Sequence, residues 1–390
     1  MTLSPAPLTV GIDATGIRSG GGLAHLVELL RAANPQSAGI NHVVLFAGKA
    51  ANDAVPQKPF LTKVYCPELD FGLVKRVLWQ LNILPNLATK FGCQVIFVPG
   101  GTSVTPFRPI VSMSQNMLPF QLEEAWRYGL SKTFLRLLIL RRTQIATISR
   151  SGGYIFLTEF ARNQIRKIVK NKKYFEKSVV VPHGVSERFR MQPQQPISLE
   201  DCSNHRPFKI LYVSIVDVYK HQWNVAEAVA LLGQKGYPIQ LELVGPYYPP
   251  AQARLDAALK CIDPQGRWIR CFGGVPNEKL HHCYEGADLV VFASSCENLP
   301  IILLEAMASG KPIACSNRGP MPEVLGPNGQ YFDPEDPVSI AACIERLIQD
   351  LNLRRISAQD SYERASLYTW ERCASETFSY LGQIAKTRIS

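Results

Sequence analysis

The chain has 390 residues, 46% of them hydrophobic and 19% charged, a composition that excludes a disordered, fibrous or collagen-like protein. A core of that length ordinarily splits, so two domains of ~100–200 residues each are expected. The formal net charge of +10 is uneven: residues 1–190 hold 24 Lys and Arg against 10 Asp and Glu, and residues 191–390 hold 18 against 22.

The N-terminal MTLSPAPLTVGID has neither a basic leader nor a long apolar stretch, and nowhere do about 18 apolar residues run together. A cytoplasmic protein without a membrane span is therefore expected. Short β-branched runs follow in order: LTVGI, HVVLFA, VIFVP, PIVSM, YIFLT and SVVVP in the first half, then KILYVS, IQLELVG, DLVVFAS and KPIACS. Amphipathic segments such as 22–33 and 223–233 lie between them. This alternation predicts an α/β protein with two doubly wound parallel sheets. The polar, Pro- and Gln-bearing stretch Arg190–Pro207 loses both periodicities and reads as the boundary, giving domains 1–190 and 191–367. Ten cysteines without C-x-x-C spacing read as reduced core residues, not a zinc site.

Residues 131–177 hold 12 basic side chains opposed only by Glu159 and Glu176. Such a face suits anionic lipid or polyphosphate, with Trp126, Tyr128, Phe134, Leu135, Leu137 and Leu138 able to dip into an interface. An ordinary solvated helix face is the competing reading. A nucleic-acid binder is disfavoured, because the stretch lacks the interleaved aromatics of a single-strand platform.

Three stretches carry candidate chemistry. In GIDATGIRSGGGLAHLVELL a strand ends near Asp13 and Gly20, Gly21 and Gly22 form a turn whose N–H groups can approach a phosphate or sugar; a plain loop is the alternative. Lys220 falls in the loop between KILYVS and the next helix, where an ammonium can neutralise a leaving diphosphate, or be simply a surface charge. In CENLPIILLEAMASGKP, Pro300 is expected as the first helical residue and Gly310 as the end, so Glu297 lies in the loop and Glu305 inside the helix. The N–H groups of Asn298 and Leu299 would be free at that helix start. A carboxylate can accept two hydrogen bonds from a vicinal diol; pairing of Glu305 with a neighbouring Arg or Lys is the alternative.

The E-x7-E spacing of ENLPIILLEAMASGKPIACSNRGPMPEVLG resembles the donor-binding signature of retaining glycosyltransferases of the family 4 (group 1) type, which have the GT-B fold of two Rossmann-like domains facing each other across a cleft. The similarity extends from VVPHGVSERF through Lys220, LELVGP and FGGVPNEKLHHCYEGADLVVFAS to YFDPEDPVSIAACIERLI, over 179–350. The resemblance implies that Glu305 binds a ribose diol, that Glu297, Asn298 and Leu299 contact the donor sugar, that Lys220 meets the diphosphate, that Val275 and Pro276 edge the base, and that Gly21 and Gly22 approach the diphosphate. It implies that a C-terminal helix within 368–390 returns to the first domain. His183 in VPHGV could line the cleft, or be a loop histidine with a structural hydrogen bond. The chain departs from the family at Ile215, where many relatives have Arg, and at Gln115-Asn116, where H-D is frequent. The implied activity is metal-independent hexosyl transfer from a nucleoside-diphosphate sugar to a glycan or polyprenyl-linked acceptor with retention and without a cofactor. The basic face of 131–177 suits such an enzyme working on a lipid-linked acceptor, peripheral to the inner membrane. A catalytically silent sugar-nucleotide or glycan-binding scaffold of the same fold is the alternative.

Overall fold

The structure, a computed structural model, describes residues 8–169 and 173–387. It separates into two compact units. Unit 1 takes the described residues of 1–122, 130–184 and 369–390; unit 2 takes 123–129 and 185–368. Lys170, Asn171 and Lys172 of the expected basic face lie outside the described residues.

Unit 1 contains seven strands: β1 (Leu8–Asp13), β2 (Ile40–Ala47), β3 (Leu61–Tyr65), β4 (Val95–Val98), β5 (Ile110–Met113), β6 (Gly153–Phe156) and β7 (Ser178–Val180). They are ordered β3-β2-β1-β4-β5-β6-β7, and every neighbouring pair is parallel. Unit 2 contains β8 (Phe208–Val213), β9 (Ile239–Val244), β10 (Ile269–Gly273), β11 (Leu289–Phe292), β12 (Ile313–Ser316) and β13 (Gln330–Phe332), ordered β10-β9-β8-β11-β12-β13 and again all parallel. The α/β class and two Rossmann-like sheets expected from the alternation are present. Central strands such as β4, β5 and β11 are buried throughout, which is why they read as unbroken apolar runs.

Some helices begin at a side-chain cap that the sequence supplies. Ser131 accepts from the Phe134 N–H at 3.2 Å at the start of Lys132–Ile148, and Thr369 accepts from the Arg372 N–H at 3.1 Å at the start of Trp370–Lys386. A core of unit 1 gathers Phe46, Trp79, Leu84, Ile96 and Phe107.

The structure departs from the sequence reading in several places. β3, β10 and β13 were not expected; all three are edge strands, and β10 is buried only at Ile269. Pro300 caps the helix Ile301–Ala308 and is not its first residue. The chain passes between units at 184/185, earlier than residue 190, because Arg190–Pro207 packs on unit 2: Met191 N–H donates to Ala308 O at 3.0 Å and Arg354 donates to Ile197 O at 2.9 Å. At the crossing, a Cβ on Gly184 would meet Trp370 N at 2.2 Å, so only glycine fits against the returning C-terminal segment. None of the ten cysteines is in a disulfide, but Cys261 and Cys271 are exposed, on a helix flank and an edge strand, and are not core residues. No helix among the described residues is long and apolar enough to cross a membrane.

Candidate functional site

Strand order in unit 2 reverses between β8 and β11, and in open parallel sheets ligands bind beyond the carboxyl ends at such a point. β8 runs into the loop holding Lys220 and β11 into the loop holding Glu297. The two side chains meet there in an ion pair between Lys220 Nζ and Glu297 Oε1, with Lys220 only 5% exposed. Their loops are tied at the backbone as well. Tyr212 Oη donates to Lys220 O at 2.7 Å, and the Ser295 N–H donates to Tyr219 O at 2.9 Å. His221 has φ of 54°, a left-handed conformation unfavourable for a residue with a Cβ; its Nε2 lies 2.9 Å from Ser295 Oγ. Ile215 is exposed at the start of the same loop and its carbonyl accepts from Gln222 Nε2 at 2.8 Å.

Glu305 projects from the second turn of Ile301–Ala308 and is 6% exposed. Its hydrogen-bond partner is Tyr284, whose Oη donates to Oε2 at 3.4 Å. Burial pushes the carboxyl up to about 8; the Arg188 charge and the Tyr284 hydrogen bond oppose that shift without cancelling it. The alternative of a permanent ion pair with Lys or Arg is not found among the described residues: Glu305 is a buried acid short of donors. Arg188 donates to Asn277 Oδ1 at 2.7 Å, directly after half-buried Val275 and exposed Pro276, so this guanidinium joins the 275–277 loop to the surroundings of Glu305. Asn298 and Leu299, expected at an open helix start, are buried at 4% and 6% exposure.

A further group was missed by the sequence reading. Residues 123–129, flanked on both sides by unit 1 chain, belong to unit 2. Glu124 Oε2 accepts from Ser295 Oγ at 2.7 Å, and Arg127 bridges Glu124 at 2.8 Å and Glu335 at 2.6 Å. Tyr128 Oη donates to Asp217 Oδ1 at 3.0 Å. Tyr128 is thus bound inward, as is buried Leu137, and neither is an interface side chain of the kind expected. In the chain Glu124–Ser295–His221, His221 follows Lys220 directly and Ser295 lies two residues before Glu297. Burial and the Arg127 charge push the His221 imidazole down to about 4, so it is neutral near pH 7.

In unit 1 the matching reversal lies between β1 and β4. Asp13 ends β1 and is 1% exposed; it accepts from the Thr15 N–H at 3.0 Å, the Thr15 hydroxyl and Gln80 Nε2 at 2.6 Å. Burial raises its pKa, and these donors oppose the rise. The three glycines are not a turn before the helix but the first turn of Gly20–Ala32 itself, so their N–H groups lack intrahelical partners. Space is open around the Cβ positions of Gly20 and Gly21.

His183 does not line an opening. It is 3% exposed and packs on His25, ring centroids 4.5 Å apart, and on Trp370. His25 Nδ1 lies 3.3 Å from Gln115 Nε2. His25, His183 and Cys373 bring one potential ligand atom each within 4.8 Å of one another. Burial pushes the Cys373 thiol up to about 12, which opposes the thiolate that a metal would need.

Residues 200–364 match the profile of the family described as Glycosyl transferases group 1. The O-antigen chain mannosyltransferase B of Escherichia coli is 38% identical over 112 residues, 29% of this chain and 29% of that protein. The chain spans between 21% and 52% of the length of the curated relatives it matches. Among solved structures, the sucrose-phosphate synthase of Thermosynechococcus elongatus superposes with a TM-score of 0.73 at 19% identity, covering 98% of each chain. The Anabaena HepE protein in complex with UDP-glucose superposes at 0.66 with 17% identity, over 97% of this chain and 98% of that one. The two parallel-sheet units are those of the GT-B glycosyltransferase fold.

Proposed function

We propose, from the premise that residues 200–364 belong to the glycosyl transferases group 1 family, that the protein moves a sugar from a nucleoside diphosphate to a hydroxyl of a glycan or polyprenyl-linked saccharide during synthesis of a surface polysaccharide or glycoconjugate. The observation that carries this reading is the pairing of buried Lys220 with half-buried Glu297 at the strand-order reversal, with donor-poor Glu305 in the same unit. Glu305 accepts from the ribose diol, which supplies the donors it lacks. Lys220 turns to the diphosphate, and Glu297 is released to the sugar hydroxyls alongside Asn298 and Leu299. Val275 and Pro276 edge the base; Gly21 and Gly22 offer N–H groups to the diphosphate.

The bond from the anomeric carbon to the diphosphate oxygen breaks as the acceptor oxygen bonds to that carbon on the same face. The acceptor proton passes to the leaving phosphate. Lys220 stabilises the charge that develops there, which requires neither a metal nor a cofactor. The proposed setting is the cytoplasmic face of a membrane.

Thermal-shift titration with UDP, GDP and their sugars tests binding, because a ligand of the folded state raises the melting temperature by mass action. Product analysis by NMR then reads the anomeric configuration; inversion overturns the retaining mechanism. A silent binding scaffold is the second reading, favoured by Ile215 in the usual Arg position and by engagement of Lys220 with Glu297. Binding with neither hydrolysis nor transfer on any acceptor would select it.

A further inference from the structure

Beyond β10 the chain passes Gly274, Val275 and Pro276, then turns through Asn277–Lys279 into the helix Leu280–Glu285. Pro276 caps that turn, so the Asn277 amide has no capping task. Its Oδ1 accepts from Arg188 Nη2 at 2.7 Å, and its Nδ2 has no protein partner among the described residues. A guanidinium donates and cannot accept, so the amide oxygen must face Arg188 and both Nδ2–H groups face away from it.

The backbone that carries the guanidinium is fixed by the fold. Arg188 lies in the turn Glu187–Phe189, which packs against both Leu280–Glu285 and Ile301–Ala308. Phe189 is buried and meets the Tyr284 ring edge-on at 5.8 Å, while the Tyr284 hydroxyl donates to Glu305 at 3.4 Å. Asn277 and Glu305 are thus the two ends of one short bridge, with Arg188 in its middle. A nucleoside follows the same plan, with a diol on one side of its sugar and a base edge on the other. The base end of the bridge is chemically one-sided. Pro276 has no N–H, its carbonyl accepts from the Lys279 N–H at 2.9 Å, and the Gly273 carbonyl accepts from the Gly245 N–H at 2.7 Å. What the Asn277 side chain leaves unspent is a pair of donors.

We infer that Asn277, oriented by Arg188, selects the nucleobase: its Nδ2–H donates to the exocyclic oxygen of a keto base, O4 of uracil or O6 of guanine, and disfavours cytosine and adenine, which carry an amino group at that place. With an amino base two donors face each other and both go unpaired. The inference rests on the nucleotide-sugar reading of this unit and adds to it which bases the donor can carry.

The test is isothermal titration of the full chain with two matched pairs, UDP with CDP and inosine diphosphate with ADP. The members of each pair differ at that exocyclic position and at the adjoining ring nitrogen. In the pair that binds the more tightly, the keto member should bind about tenfold tighter than the amino member. Asn277→Asp, which offers acceptors only, should bring that ratio to one or below by weakening the keto member and sparing the amino one. The melting temperature of the free variant should stay as in wild type, because residue 277 is exposed. A ratio near one in wild type, or a ratio unchanged in Asn277→Asp, overturns the inference and leaves the nucleotide reading standing. Binding of none of these nucleotides overturns that reading, and the inference with it.

Discussion

Unit 1 and unit 2 each reverse strand order at the centre of the sheet, between β1 and β4 and between β8 and β11, yet the strand ends carry different chemistry. At the first reversal the buried acid, Asp13, is saturated by Thr15 and Gln80, and the neighbouring helix offers glycine N–H groups with no side chain. At the second, buried Lys220 pairs with half-buried Glu297, and Glu305 is left short of donors. The first strand end presents backbone dipoles; the second presents charged side chains. Saturated groups hold a fold together, whereas unsaturated ones await a ligand.

The sharpest way to break that contrast is Lys220→Ala. If Lys220 meets the developing phosphate charge as proposed, its loss should lower the transfer rate by ~10²–10³-fold. It should also destabilise the protein by about 1–2 kcal/mol, since the half-buried Glu297 carboxylate loses its charged partner. Steady-state kinetics and urea denaturation check the two effects. If only stability falls, the pair belongs with the saturated groups.

Glu305→Gln comes next. It should weaken nucleoside-diphosphate binding ~10–100-fold, because an amide cannot accept the paired hydroxyls as a carboxylate does. The unliganded variant should nonetheless be more stable than wild type at pH 8. The wild-type carboxyl is raised by folding from 4.5 to about 8, so the folded state holds the proton more tightly. The associated stability is complete below pH 4.5 and is lost as the pH rises through about 8. Wild type should lose roughly 3–5 kcal/mol across that window while Glu305→Gln loses none of it; thermal melts at stepped pH read the difference.

Tyr128→Phe removes one hydrogen bond to Asp217 and should cost about 1 kcal/mol. If 123–129 positions the Lys220 loop, kcat should fall about fivefold at an unchanged KM for the acceptor. A fall in melting temperature alone would assign the segment a purely structural part.

The smallest effect is expected at the first reversal. Gly21→Ala meets no atom within 4 Å of the new Cβ and should stabilise the free protein by ~0.5 kcal/mol. Any loss of donor affinity beyond that would show that the open space is used.

What was legible in the sequence follows the same physics. Strands buried on both faces announce themselves as runs of Val, Ile and Leu, as LVVF does in β11. β3, β10 and β13 escaped because an edge strand buries less of itself and keeps polar residues such as Lys63 and Arg270. Lys220, Glu297 and Glu305 could be singled out because each sits at a fixed offset from a strand or helix end. Glu124, Arg127 and Tyr128 could not, since they reach Ser295, Glu335 and Asp217 across roughly 90 to 210 residues of chain. Nothing local marks that pairing. Arg188 lay within a quoted motif, but only the fold shows that it faces both Asn277 and Glu305.

The excursion of 123–129 into unit 2 sets a rule for anyone recombining this protein with a relative. A chimera cut at 184/185 and 368/369 would carry the borrowed half without its seven-residue clasp, and a foreign clasp would arrive with the recipient. Swapped halves should work only when the donor of residues 185–368 also contributes its own 123–129, so the transferable cassette is discontinuous in the gene.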